Sequence, residues 1–144
     1  MFYSYSYNFT PTIRDVYVMD FTNVDHGQKG RRPGVVLQNN VGNLHSPNLI
    51  VLPLTTVLKK TSMPTHVVIP ALDSGLDSDS MVLCENPMTI SKSKVGKYLT
   101  TLSDKCMKEI AKASLLATSS LSFLDEDELL LLRQETVRLN RHIA

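Results

Sequence analysis

The first two thirds of the chain alternate between short β-branched apolar runs and clusters of turn-forming residues. Such punctuation at this spacing predicts short antiparallel strands that curl into a small barrel. The runs lie at 16–21, 35–37, 49–54, 66–69 and 81–84. The predicted turns contain Gly27, Gly30, residues 39–43, Pro64 and residues 73–79.

The last third of the chain has helical periodicity. Ser103 is a predicted N-cap, and Asp104 would complement the helix dipole in the first turn. The helix is expected to run for about four turns and to pack on the sheet. Its predicted packing face consists of Met107, Ile110, Ala111, Ser114 and Leu115.

A second C-terminal helix is predicted after Asp125, with acidic residues in its first turn and arginines near its end, as the helix dipole favours. A stripe at three-then-four spacing requires a partner surface, either the barrel or another subunit. The stripe consists of Leu129, Leu132, Thr136, Leu139 and Ile143.

Composition indicates the domain size of the protein and the cellular compartment in which we expect it. A chain of 144 residues is typical of one globular domain, and a net charge of +1 gives no bulk signal for nucleic acid. Residues 1–13 contain no Lys or Arg, unlike a secretory signal, and no apolar run approaches the length of a membrane span. We therefore expect a cytoplasmic protein without a membrane partner. Cys84 and Cys106 are expected to be buried structural thiols.

Common catalytic motifs are missing from the sequence. It contains no HExxH, P-loop or GxSxG motif, and its four histidines are scattered. We therefore expect neither a metal site nor a cofactor. The remaining chemical candidates are a basic loop, Lys29, Arg31 and Arg32, and two hydroxyls, Thr55 and Thr56, after the LIVLPL run. Each alone is also typical of ordinary surface structure.

Together these segments resemble the MazF/PemK family of bacterial toxins. The resemblance is carried by RRPGVVLQNNVGNLHSPNLIVLPLTT at 31–56, LKKTSMPTHVVI at 58–69, SMVLCE at 80–85 and YLTTLSDKCMKEI at 98–110. It implies an α+β, mainly β fold, a small antiparallel SH3-like barrel with a packed C-terminal helix. Residues 1–118 would form this toxin domain, and residues 119–144 an added amphipathic helical extension.

The resemblance also implies a sequence-specific, metal-independent endoribonuclease that cleaves single-stranded RNA. The enzyme would be a homodimer with grooves at the subunit interface, inhibited there by a cognate antitoxin. It would contact DNA only indirectly, through the antitoxin. The alternatives are a non-catalytic inhibitor of a protein target such as DNA gyrase and a degenerate regulatory member of the family.

By this resemblance, Arg32 and Thr55 match the family's catalytic arginine and threonine. RNA carries its own nucleophile in the 2′-hydroxyl, so an enzyme needs mainly to align it and stabilise the crowded phosphate. A guanidinium and a hydroxyl suit that task. The predicted RNA-binding residues are Gln28, Lys29, Arg31, Thr56, Lys59 and Asn86.

The sequence departs from the family pattern at three places. Arg14 stands where relatives have glycine before the first-strand aspartate, and Gly27 replaces a glutamate in the first loop. CENPMTI at 84–90 replaces LEQIRTI, which removes a basic residue at Met88. The change at Arg14 bears on the local turn. The change at Gly27 bears on the RNA sequence preference. The loss of a basic residue at Met88 bears on RNA recognition, dimer geometry or cleavage rate.

Overall fold

The computed structural model describes residues 10–22, 30–56 and 63–141. Within them lie seven strands and four α-helices. The strands are β1 Asp15–Asp20, β2 Arg31–Val36, β3 Asn48–Thr55, β4 His66–Ile69, β5 Ser80–Leu83, β6 Met88–Ser91 and β7 Val95–Thr101. The helices are α1 Asn40–His45, α2 Ala71–Ser74, α3 Asp104–Leu116 and α4 Glu126–Arg141.

The predicted mainly-β fold is confirmed, and every strand pair is antiparallel. The strands follow the order β4-β5-β3-β2-β1-β7, and β6 pairs with the outer part of β3. β3 thus contacts three neighbours along its length, which curls the sheet around it. Two buried clusters fill the two sides of this curled sheet.

Two parts of the predicted pattern were wrong. Residues 39–43 are not a simple turn: the Asn39 carboxamide accepts a hydrogen bond from the Gly42 amide (2.9 Å) and caps α1. The predicted turn at 73–79 also begins inside a helix, because α2, Ala71–Ser74, includes its first two residues. Strands β6 and β7 were not predicted, because β6 is short and β7 contains Gly, Lys and Thr among its apolar residues rather than forming an apolar run.

The helix α3 begins as predicted, since the Ser103 hydroxyl accepts a hydrogen bond from the Cys106 amide (3.3 Å). Its buried face, however, consists of Cys106, Ile110 and Ala113. Ala111 and Leu115, predicted to pack, are exposed. Of the predicted face, Ile110 is buried and Met107 packs against the core, and the rest of the buried face is shifted to Cys106 and Ala113.

The helix α4 begins with reciprocal capping: the Glu128 amide donates to Asp125 Oδ1 (2.8 Å), and the Asp125 amide donates to Glu128 Oε1 (3.1 Å). No residue of α4 is buried. The helix contacts α1, where the Asn40 amide donates to Asn140 Oδ1 (2.8 Å). Leu129 and Leu139 of the predicted stripe are half-buried, whereas Leu132 and Thr136 are exposed; Ile143 lies outside the described residues. Among the described helices, none has the length and apolar character needed to cross a membrane.

Arg14 has a backbone conformation that normally favours glycine. Its φ is +74°, in the left-handed region. Its amide donates to the Val36 carbonyl (2.9 Å), and its guanidinium contacts the Asp104 carboxylate at 2.7 Å. These contacts hold the strained residue between β2 and the start of α3. The replacement of the family's glycine by Arg14 therefore produces local backbone strain.

We expect Arg14→Gly to be more stable than Arg14→Ala by about 1 kcal/mol, because both lose the ion pair but only glycine relieves the left-handed strain. Chemical denaturation of the two variants measures the difference. At Lys108, an exposed position inside α3, the same pair of substitutions should give the opposite order. Equal stabilities at position 14 would contradict the strain.

Candidate active site

The pairing of β2 with β3 determines where the predicted catalytic residues lie. Gly34 is opposite Pro53, and Val36 is opposite Val51. Extending this antiparallel register by two residues puts Arg32 opposite Thr55. Directly opposite residues project to the same face of a sheet, with their Cβ atoms about 5 Å apart. The observed β2–β3 pairs end at Gly34 and Pro53, so the extended register, rather than an observed pair, relates the two residues that the sequence resemblance selected.

Gly34 allows close packing beneath this pair. A Cβ atom at position 34 would lie 2.5 Å from Met19 Sδ and 3.2 Å from Phe21 Cζ. Met19 is fully buried and lies opposite Arg32 in the β1–β2 pairing. The glycine therefore lets the β1 side chains fill the space beside Arg32, which fixes the strand that carries it.

The choice between the two threonines follows from the alternation of β3. Thr55 is the last residue of the strand, is buried and lies opposite Met81 of β5. Thr56 is exposed, beyond the end of the strand. Since neighbouring strand positions point to opposite faces, Thr55 is the one on the Arg32 side. The burial of Thr55 also restricts the directions in which its hydroxyl can form hydrogen bonds.

Arg31 faces away from Arg32, because successive residues of β2 alternate in direction. It is exposed and lies opposite Asp20 of β1. The pKa of Asp20 is lowered, mainly by the hydrogen bond from the Thr22 hydroxyl and then by the Thr22 amide (2.9 Å), with smaller contributions from Lys94 and Arg31. The carboxylate partly offsets the Arg31 charge that was predicted to bind RNA.

Of the remaining predicted RNA contacts, the structure describes Asn86. Asn86 is half-buried in the turn between β5 and β6, where its amide donates to the Leu83 carbonyl (3.1 Å). Met88, which replaces a basic residue of the family pattern, is buried in the core cluster that also contains Met19 and Phe21. The substitution thus places a thioether inside the protein at that position. Gln28, Lys29 and Lys59 lie outside the described residues.

A cleft of about 440 Å³ lies on the Thr56 side of the sheet and was not predicted from the sequence. Its walls include Pro33 and Thr56, which directly follow Arg32 and Thr55, together with Lys97 and Tyr98 of β7. The Tyr98 ring packs edge-on against Tyr17, with centroids 5.7 Å apart. Asp77 contributes a carboxylate to the same cleft. Tyr98 begins one of the segments that carry the resemblance, but neither it nor Lys97 was predicted to line a cleft, because β7 was not recognised as a strand.

Both cysteines are free and buried, as predicted. The pKa of the Cys84 thiol is raised to about 11, mainly by burial, against a lowering by the hydrogen bond with Ser114 and with a smaller rise from the Glu85 carboxylate. Cys84 is therefore a neutral thiol at physiological pH and is unsuited to act as a nucleophile. Among the described residues, no group of three or more His, Cys, Asp or Glu side chains is arranged to hold a metal ion.

Comparison with known proteins places this geometry in a family. The profile of the PemK-like, MazF-like toxins of type II toxin–antitoxin systems matches residues 13–116. This chain belongs to that family. It is 42% identical over 100 residues to the Endoribonuclease MazF of Staphylococcus saprophyticus, an alignment that covers 69% of this chain and 83% of the relative.

Solved toxin structures share the fold. An endoribonuclease from a mycobacterial species, in complex with its cognate antitoxin, superposes with a TM-score of 0.62 at 27% identity, over 74% of this chain and 93% of that one. MazF from Deinococcus radiodurans gives a TM-score of 0.65 at 22% identity, over 81% and 100% of the two chains. The 3₁₀ helix Ser120–Phe123 and all of α4 follow the segment that matches the family profile.

Proposed function

We propose that this protein is a toxin that cuts single-stranded RNA at defined sequences, by attack of the 2′-hydroxyl on the adjacent phosphate and without a metal. Endoribonuclease activity follows from membership of the family and from the 42% identity to an Endoribonuclease MazF. The observation that supports the detailed mechanism is the β2–β3 register, which, continued by two residues beyond Gly34 and Pro53, would put Arg32 opposite Thr55.

Arg32 would stabilise the phosphate as negative charge accumulates on its non-bridging oxygens. A guanidinium can donate two parallel hydrogen bonds to such oxygens, and these are strongest where charge develops. Arg32 is half-buried and is held by a strand with paired neighbours on both sides. Little reorganisation is then needed when the transition state forms. Arginine stays protonated at physiological pH and is therefore a poor general base, so we assign Arg32 no such role.

Thr55 would donate a hydrogen bond to the same phosphate or orient the attacking 2′-hydroxyl. A hydroxyl can do both, because it donates one hydrogen bond and accepts others. Since Thr55 is buried at the end of β3, its β-branched side chain is restricted to few rotamers. A donor whose rotamers are already restricted loses little conformational entropy when it aligns the substrate.

The partners follow from the same family membership. A cognate antitoxin is expected to inhibit the enzyme, since one structural relative is an endoribonuclease bound to its cognate antitoxin. We propose that the toxin acts as a homodimer in the cytoplasm, with an RNA groove bordered by Arg32 and Thr55 of each subunit. DNA would be contacted only through the antitoxin.

Replacing Arg32 by Ala should lower the single-turnover cleavage rate at saturating RNA by about 100- to 1,000-fold, the usual cost of removing one such donor. Thr55→Val should lower it by a similar factor. Arg32→Lys should not rescue the rate, because lysine lacks the planar two-donor geometry. Gel analysis of a long unstructured RNA measures all of these.

Arg133→Ala is a matched control, since Arg133 is an exposed arginine on α4, outside the family match. It should cleave at the parental rate. Parental cleavage by Arg32→Ala, in a preparation shown to be folded by circular dichroism, would rule out the proposed role of Arg32.

The cleft beside Thr56 should contribute to RNA binding rather than to the chemical step. Lys97 would attract a phosphate and Tyr98 would stack on a base. Lys97→Ala is then expected to raise the KM several-fold, to leave kcat nearly unchanged, and to reduce the salt dependence of binding by about one phosphate contact. Lys108→Ala on α3 is the matched control. An unaltered KM and salt slope for Lys97→Ala would exclude this cleft from the RNA path.

A further inference from the structure

The cleft beside Thr56 contains two side chains of opposite charge. Lys97 of β7 and Asp77, which follows α2, both line it. Among the described residues, neither side chain takes part in an ion pair. The two charges therefore do not neutralise each other inside the cleft. Both are available to a ligand that has an anionic group at one end and hydrogen-bond donors at the other.

The segment that carries Asp77 is attached to β7 and to the core. The Thr100 hydroxyl of β7 donates a hydrogen bond to the Ser74 carbonyl (2.8 Å). Gly75 follows with a φ of +77°, in the left-handed region that favours glycine. The Leu76 amide then donates to the Ser74 hydroxyl (3.0 Å), and the Leu76 side chain packs against the core cluster under α3. The backbone leading into Asp77 is thus fixed.

The polar residues that follow Asp77 use their groups within the same segment. The Asp79 carboxylate accepts a hydrogen bond from the Ala71 amide (2.8 Å), and the Ser80 hydroxyl donates to the Ser78 carbonyl (3.1 Å). The Asp77 side chain is exposed, and no described residue donates a hydrogen bond to its carboxylate. A fixed backbone therefore presents Asp77 to the cleft as an acceptor that a ligand can use.

We propose that Asp77 selects the base that enters this cleft, by accepting a hydrogen bond from an exocyclic amino group of an unpaired RNA base. Adenine, cytosine and guanine carry such a group on the edge used for base pairing, and single-stranded bases expose that edge. Uracil has carbonyl oxygens on both sides of its one N–H group, and a carboxylate repels them. Asp77 is then a specificity-determining residue that favours an amino-bearing base over uracil. The inference rests on the proposed binding of RNA by this cleft.

The pair of charges argues for a nucleotide over a simple ion. A phosphate ion would be attracted by Lys97 but repelled by Asp77, and a metal cation would meet the reverse. A nucleotide with an amino-bearing base satisfies both side chains, because its phosphate is anionic and its amino hydrogens are partly positive. A cleft of about 440 Å³ is also within the usual size range of a site for one small ligand.

Removal of single amino groups from the RNA tests this contact at the level of one atom group. The cleaved sequence is first mapped with a randomised RNA pool. Each amino-bearing base of that sequence is then replaced, one at a time, by an analogue without the amino group: purine for adenine, hypoxanthine for guanine, and 2-pyrimidinone for cytosine. We expect one replacement to lower the kcat/KM of the parent about tenfold through loss of the hydrogen bond to Asp77.

Asp77→Ala should lose the sensitivity to that one replacement and keep the sensitivity to the others, because it no longer has the carboxylate. Asp77→Asn should accept uracil at the same position, since a carboxamide can also donate a hydrogen bond to a carbonyl oxygen. Asp127→Ala is the matched control, an exposed carboxylate on α4 outside the family match, and should keep every preference of the parent.

Loss of one base preference in Asp77→Ala, with the others retained, would support the proposal. If Asp77→Ala remains as sensitive as the parent to every amino group while still cutting RNA, the role of Asp77 is overturned and the proposed nuclease stands. A parent protein that cuts no RNA would contradict the proposed function and this inference together.

Discussion

The antiparallel pairing of β2 with β3 is the constraint on which the rest of the site depends. Its register joins Gly34 to Pro53, and the extension of that register brings Arg32 opposite Thr55. A shift of one residue would send one of the two side chains to the other face. The buried residues of both strands oppose such a shift, because Val35 and Leu52 pack in one core cluster while Val36 and Val51 pack in the other, and a shift would move side chains of one strand into the wrong cluster. Core packing thus positions the chemistry.

Local signals predicted the elements whose residues act within a few positions of each other. The caps at Ser103 and Asp125 were correct because a side chain there bonds an amide three residues away. Strand β7 was missed because its exposed residues, including Lys97 and Tyr98, gain their setting from pairing with β1, far away in sequence. Arg14 shows the same limit, since its left-handed backbone is held by Val36 and Asp104.

The candidate site was accessible from sequence only in part. The resemblance selected Arg32 and Thr55, and the register now supplies a physical reason for pairing them. The same resemblance suggested Asn86 as an RNA contact, which stays a prediction; its backbone amide belongs to a turn, and Met88, two residues later, is buried. The cleft containing Lys97 required the fold, because its residues come from four separate segments. The end of the chain carries an exposed helix that the family match does not include.

The central claim is that the RNA supplies the nucleophile, while Arg32 and Thr55 align and stabilise the phosphate. The most direct measurement uses an RNA oligonucleotide containing the mapped cleavage site, with a single 2′-deoxy substitution on the nucleotide 5′ to the cut, in excess EDTA. The account predicts cleavage of the all-RNA oligonucleotide, a 2′,3′-cyclic phosphate at its new end, and no cleavage of the deoxy-substituted one. Cleavage of both at similar rates would show that water or another group attacks the phosphate, and would contradict the account.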